Sequence, residues 1–303
     1  MSRYTLDDSA GEDAAFVITI NYDPLAESPA RIFMVAGELL QILQKVDTLL
    51  TASVDEQIGS RFVIERIESG SLRMRIATLL KAVDDDALKS MDWKKAVGKY
   101  VVKAKYFLLK KLENCEIKSK ADLDGLAHDI RILAEQTNVL RMPAYRMVQP
   151  LDLAGSIVGL GKSLEGLKTG ESIEFYSGDG SARIEKDNML SQDYVEELLT
   201  EKTIVNTVDR ILTVKKPDFL GDSRWVFKFS GTLYEANVDD VEWLSRFRSG
   251  SIDIRPQDSL HVTVKESFRY GSGGVLISQK NTILYVRDIV RAKREMTLGL
   301  PYH

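Results

Sequence analysis

The chain has 303 residues, 44% of them hydrophobic, and carries 41 lysines and arginines against 45 aspartates and glutamates, a net charge of -4. That length suffices for two ordinary cores, while the near balance of charge excludes a global basic field, so any basic surface has to be local. The single cysteine, Cys115, excludes an intramolecular disulfide and a thiolate metal cluster, and three histidines (His128, His261, His303) leave little material for a histidine-based catalytic or metal site.

The first 14 residues are polar and acidic, unlike a secretory signal, and read as a flexible arm. No run of about 18 apolar residues occurs, so a membrane-spanning helix is not expected, and the expected setting is reducing and cytoplasmic. "AFVITINYD" (15 to 23) is a β-branched strand that stops at Asp23-Pro24. From Ser28 to about Thr51, Ile32, Phe33, Val35, Leu39, Leu43, Val46 and Leu50 recur at helical spacing, with Pro29 suited to the first turn. "RFVIERIESGSLRMRIATLL" (61 to 80) reads as a hairpin about Ser69-Gly70-Ser71, with Leu72, Met74 and Ile76 on one face and Arg73 and Arg75 on the other.

A second helix is expected from about Met91, with Ser90 as its N-cap, and a third over 120 to 140, ending before Pro143. Between Trp93 and Lys120 the second helix region holds nine lysines against two glutamates. On a helical projection Lys95, Lys99, Lys103 and Lys110 fall in one sector, opposite Trp93, Val97, Tyr100, Ala104, Phe107, Leu108 and Leu112. Lysines so spaced can neutralise successive phosphates without reading sequence. The same pattern also describes a solvated helix face or one docked on an acidic protein.

Residues 155 to 163, "GSIVGLGKS", resemble a phosphate-binding loop, for which Lys162 and Ser163 would be the nucleotide contacts. Ser156 stands where the motif needs its first glycine, Pro150 interrupts the expected upstream strand, and Gly166 and Gly170 shorten the expected downstream helix. The stretch therefore reads as a glycine-containing connector between two domains, spanning 146 to 170, with glycines free to adopt positive φ.

After it come short alternating segments, "SIEFYS", "SARIE", "TIVNTVDRILTV", "RWVFKFS", "TLYEANV", "SLHVTVKESF" and "NTILYVRDI", the pattern of an antiparallel sandwich or small barrel. Trp225, Phe227 and Phe229 would share one strand face, more suited to a core than to base stacking. Trp243 and Phe247, on a short helix within "DDVEWLSRFRSG", would cap a barrel end. The carboxylates Asp84 to Asp86 and Asp239, Asp240 and Glu242 read as turn or helix-start residues, His261 as a cross-strand polar contact and Cys115 as an incidental thiol.

The expected fold is therefore α+β: a domain of sheet and long amphipathic helices over 15 to 145, the connector, a β barrel or sandwich over 171 to 290, and a basic tail over 291 to 303. The expected function is that of a non-enzymatic interaction or adaptor protein, with no cofactor and no metal. Its partner would be another protein or, through the lysine helix and the barrel, a nucleic acid; a nucleotide-dependent enzyme using Lys162 and Ser163 is a third reading. No membrane partner is expected, and self-association through an edge strand or helix face is compatible with the pattern.

Overall fold

A computed structural model describes residues 14–25, 28, 30–68, 72–82, 92–141, 144–219, 221 and 223–292. The hairpin turn at 69–71, the acidic run 84–86, Ser90, residues 1–13 and most of the basic tail lie outside the described residues. The chain divides into two compact units, Met1–Leu198 and Leu199–His303. Helices and strands are both abundant, and the α+β class holds.

In the first unit, β1 (Ala15–Asn21), β2 (Ile58–Glu68), β3 (Leu72–Ala82), β4 (Ser172–Ser177) and β5 (Gly180–Ile184) form an antiparallel sheet of order β2-β3-β1-β4-β5. One face carries Phe16, Ile18, Ile20, Met74, Ile76, Ile173 and Phe175, all buried, whereas Arg73 and Arg75 point to solvent, as period-2 patterning requires. Against the buried face lie α1 (Ala30–Val54) and α2 (Trp93–Glu113), on which α3 (Lys120–Gln136) and α4 (Pro150–Ser163) pack as a further layer, while α5 (Gln192–Leu199) runs up to the division between the units. The N-cap of α2 is Asp92, whose carboxylate accepts the Lys95 amide at 3.4 Å, so the helix starts later than expected.

Two segments differ from the sequence reading. The 146 to 170 stretch is no connector, because α4 runs through it and packs on α1. Two of its glycines serve close approach to α1: a Cβ on Gly159 would lie 2.3 Å from Ile42 Cδ1 and one on Gly166 2.7 Å from Val35 Cγ2, and only Gly170, beyond the helix, has a positive φ (86°). "SIEFYS" and "SARIE" are β4 and β5 of the first sheet rather than barrel strands, since β4 pairs with β1 (Phe175 opposite Ile18) more than 150 residues away in the chain. The unit boundary accordingly falls at Leu198 instead of between 145 and 170.

The core of this unit encloses a charge pair. Asp47, on the inward face of α1, meets Lys105 of α2 at 2.6 Å, and both side chains are 0% exposed. Thr78 of β3 donates to the other Asp47 oxygen at 3.0 Å, and the Lys105 ammonium lies 4.0 Å from the Phe16 ring centre and 4.9 Å from that of Phe62. Burial pushes the Asp47 carboxyl up and the Lys105 ammonium down, each opposed by the charge of the other. A second staple, at the start of α1, is bidentate: both terminal nitrogens of Arg31 donate to Glu171 at 2.5 Å, while the amides of Asp23 and Lys168 donate to the same carboxylate. The Arg31 hydrogen bonds hold the Glu171 carboxyl at about 2, well below the usual glutamate range.

The second unit is a closed five-stranded barrel of order β10-β8-β7-β6-β9. It is built from β6 (Lys202–Lys216), β7 (Trp225–Phe229), β8 (Thr232–Val238), α6 (Val241–Arg248), β9 (Ser259–Tyr270) and β10 (Leu276–Val290). β6, β7 and β8 form an antiparallel meander, α6 follows, and the β9–β10 hairpin completes the barrel with β9 antiparallel to β6 and β10 parallel to β8. Trp225 and Phe227 point into the core, and Trp243 and Phe247 of α6 pack on Trp225 at 5.7 and 5.1 Å between ring centres, closing one end of the barrel. Asp240 caps α6 by accepting the Trp243 amide at 3.0 Å and accepts the Val286 amide at 2.9 Å, which gives this acidic cluster a structural role.

Removing one partner of the buried pair leaves the other charge uncompensated. Asp47→Ala is expected to destabilise the first unit by about 3–5 kcal/mol, whereas the double variant Asp47→Leu/Lys105→Met recovers most of that loss. Urea unfolding followed by helical circular dichroism checks this, since the long helices all belong to the first unit; a double variant as unstable as the single one would contradict it. Because the Glu171 pKa is depressed on folding, its contribution is complete above about pH 4.5 and is lost as pH falls towards 2. The stability gap between the native chain and Glu171→Gln is therefore expected to shrink over that window, and a pH-independent gap would contradict it.

Candidate functional site

The lysine-rich helix does not form the broad outer stripe its projection suggests. α2 packs against α1, α3 and the sheet, and 11 of its 21 residues are buried, among them Val101, Val102 and Leu109 outside the expected apolar sector. Lys95 and Lys99 are exposed, but Lys103 donates to Gln136 at 3.1 Å and Lys110 pairs with Glu113 at 2.6 Å. Lys111 pairs with Glu116 at 2.6 Å, and Lys105 is the buried core cation. Three of these cations, Lys105, Lys110 and Lys111, thus have a carboxylate partner within the unit, whereas Gln136 leaves the charge of Lys103 in place.

Lys162 and Ser163 lie in the last turn of α4, where the helix dipole is negative, the reverse of what a phosphate loop needs. The Ser163 hydroxyl is spent on the Leu160 carbonyl (2.8 Å) and Lys162 donates to Gln192 (2.8 Å), so the two residues do not form a nucleotide site. Cys115 is exposed, and His261 faces outward between Ile211 and Asp288 of the neighbouring strands. Among the described residues, no group of three or more His, Cys, Asp or Glu side chains is placed to hold a metal ion, and no helix is long and apolar enough to cross a membrane.

The barrel presents a different surface. β8 and β10 pair only through Asn237 opposite Thr282 and Val238 opposite Ile283, and where they diverge a cavity of about 310 Å³ opens, lined by Arg224, Glu235, Asn237, Lys280 and Thr282 among others. A second hollow of about 200 Å³ shares Lys280 and Thr282 with it and extends over β9 through Lys265, Ser267 and Arg269. Together they make a groove over the outer face of β8, β10 and β9, lined by four cations and one carboxylate. Charge is distributed between the units in the same sense: residues after Leu198 carry 16 lysines and arginines against 13 acids, whereas the first 198 carry 25 against 32.

A buried polar cluster lies behind the groove. Glu266 of β9, turned into the barrel and 6% exposed, accepts from Tyr234 of β8 at 2.9 Å and from Arg210 of β6 at 3.2 Å through both of its oxygens. The Arg210 guanidinium also lies 4.9 Å from the Phe229 ring centre. Burial, reinforced by the Glu266 acceptor, pushes the Tyr234 hydroxyl up, so it stays a donor at neutral pH. At the groove mouth, Asp218 accepts the amides of Gly221 (2.9 Å) and Ser223 (2.7 Å), shaping the β6–β7 loop that leads into Arg224. Phe219 of that loop stacks on Phe247 at 5.2 Å.

None of the groove cations was singled out by sequence reasoning, because Arg224, Lys265, Arg269 and Lys280 are spread over more than 50 residues. The available signal is Lys265 and Arg269 on the outward face of a strand whose inward face holds Val262 and Val264.

Tyr234→Phe leaves the buried Glu266 carboxylate short of one donor and is expected to cost roughly 1.5–3 kcal/mol. Leu233→Ala, at a neighbouring side chain that is 62% exposed, should stay within about 0.5 kcal/mol. Unfolding followed by tryptophan fluorescence compares the two; equal effects would contradict a structural role for the cluster. No known protein family, curated protein or solved structure matches the chain.

Proposed function

We propose that the protein is a non-enzymatic binding protein whose macromolecular partner is nucleic acid, held in the outer groove of the C-terminal barrel. The observation that carries this reading is the convergence of Arg224, Lys265, Arg269 and Lys280 on one continuous concave surface, in the unit with the positive balance of charge. A polyanion gains affinity from such a row by releasing counterions. The topology adds support by fold analogy: a closed five-stranded barrel with a helix between its third and fourth strands resembles the OB fold, whose members bind oligonucleotides or oligosaccharides chiefly on the face of their second and third strands, the latter corresponding to β8 at the edge of this groove. The lysines of α2 take a secondary place, since they lie along one helix face whereas the groove cations converge on a cavity.

Fluorescence anisotropy with a labelled single strand of about twelve nucleotides tests the reading. With four cations engaged, the log–log salt dependence is expected to have a slope of about -3. Arg224→Glu/Lys265→Glu/Lys280→Glu should abolish binding with the fold intact, while Lys95→Glu/Lys99→Glu/Lys103→Glu should leave most of it. Binding that survives the barrel reversal and vanishes in the helix reversal would overturn the assignment of the site.

A further inference from the structure

The groove cations are interleaved with hydroxyl groups in a regular pattern. Along the outer face of β9 the side chains are Lys265, Ser267 and Arg269; opposite them on β10 are Thr282, Lys280 and Ser278. Directly opposed residues of an antiparallel pair share a face, with Cβ atoms about 4.5–5.5 Å apart. Two cations therefore face a hydroxyl of the other strand, Lys265 with Thr282 and Lys280 with Ser267, while Ser278, opposite Arg269, has its hydroxyl oxygen buried. The first row continues onto both neighbouring strands, to Thr207 of β6 and to Asn237 of β8. Of the barrel's aromatics, Trp225, Phe227, Trp243 and Phe247 lie in its core, Tyr234 lines the larger hollow but is 9% exposed with its hydroxyl held by Glu266, and the exposed Tyr285 lies further along β10, opposite Thr263 and outside both hollows.

A ligand that matches this surface carries anions and hydroxyl groups in alternation along a chain and does not depend on base stacking. A polyribonucleotide backbone has that chemistry: a phosphate, then a ribose whose 2′-hydroxyl both donates and accepts. A deoxyribose backbone offers the phosphates alone. Resting on the nucleic-acid reading above, we propose that the β9–β10 face selects RNA over DNA by reading the 2′-hydroxyl through Ser267, Thr282 and Asn237, with the cations holding the phosphates and the bases left unread.

The test compares labelled oligouridine and oligodeoxyuridine, each of about twelve nucleotides, on the full chain at one salt concentration. The native protein is expected to bind the RNA about tenfold more tightly, the equivalent of one or two net hydrogen bonds. Ser267→Ala/Thr282→Val should bring RNA affinity down to the DNA value without changing DNA affinity, and Asn237→Ala should act in the same direction, with thermal unfolding checking that each variant is folded. Oligoadenosine should bind like oligouridine. Equal affinity for RNA and DNA in the native protein would overturn this inference while leaving the nucleic-acid reading in place. Loss of RNA and DNA binding in equal proportion in the folded hydroxyl variants would also overturn it. Failure of the native protein to bind either polymer at low salt would overturn the nucleic-acid reading itself.

Discussion

Two residue pairs close the C-terminal barrel. Asn237 and Val238 of β8 meet Thr282 and Ile283 of β10 in parallel, and beyond them the strands separate. Everything proposed for the outer surface follows from that short contact, because a longer ladder would zip β8 against β10 and remove the cavity between them. The barrel tolerates so brief a closure because it is tied together elsewhere. The Ile283 side chain is in the core with Val262, Val264 and Phe227, α6 plugs one end with Trp243 and Phe247, and the Tyr234–Glu266–Arg210 cluster joins β8, β9 and β6 through the barrel interior. A buried carboxylate with two donors is costly to disturb, so the wall behind the groove is the stiff side of the barrel.

The first unit solves a different problem with the same kind of chemistry. A long helix, α1, has to lie across the sheet while α2 packs beside it, and at their meeting point the structure places a lysine and an aspartate instead of two aliphatic side chains. Such a pair contributes little net stability over a well-packed apolar replacement, but it tolerates no mismatch in the relative placement of α1, α2 and β3, since each charge has to find the other. Phe16 and Phe62, whose ring centres lie 5.4 Å apart, complete the lysine's surroundings. Arg31 and Glu171 fix the start of α1 in a comparable way at the sheet's end.

The α+β class and most element positions were legible in the sequence because period-2 and period-3.6 patterning are local. Partner choice is not local. "SIEFYS" announces a strand, yet nothing in it says that Phe175 will lie opposite Ile18 instead of in the barrel. Lys105 sits among eight other lysines and looks like one more surface cation; only Asp47, 58 positions earlier on another helix, makes it a core residue. The glycines of α4 suggest a flexible connector until Ile42 is seen filling the space a side chain at Gly159 would need. The groove was illegible for a related reason: only Lys265 and Arg269 share a strand, while Arg224 precedes β7 and Lys280 lies on β10, whereas four lysines on one helix make a visible pattern.

In the proposed binding mode the barrel's outer groove, and not the lysine-rich helix, takes up the nucleic acid. Hydrogen–deuterium exchange of the full chain, with and without saturating oligouridine, tests it most directly. Protection on binding is expected to be confined to peptides of β8, β9, β10 and the loop leading into Arg224, with Trp93–Glu113 unchanged. Protection centred on Trp93–Glu113, with the barrel strands exchanging as in the free protein, would contradict it.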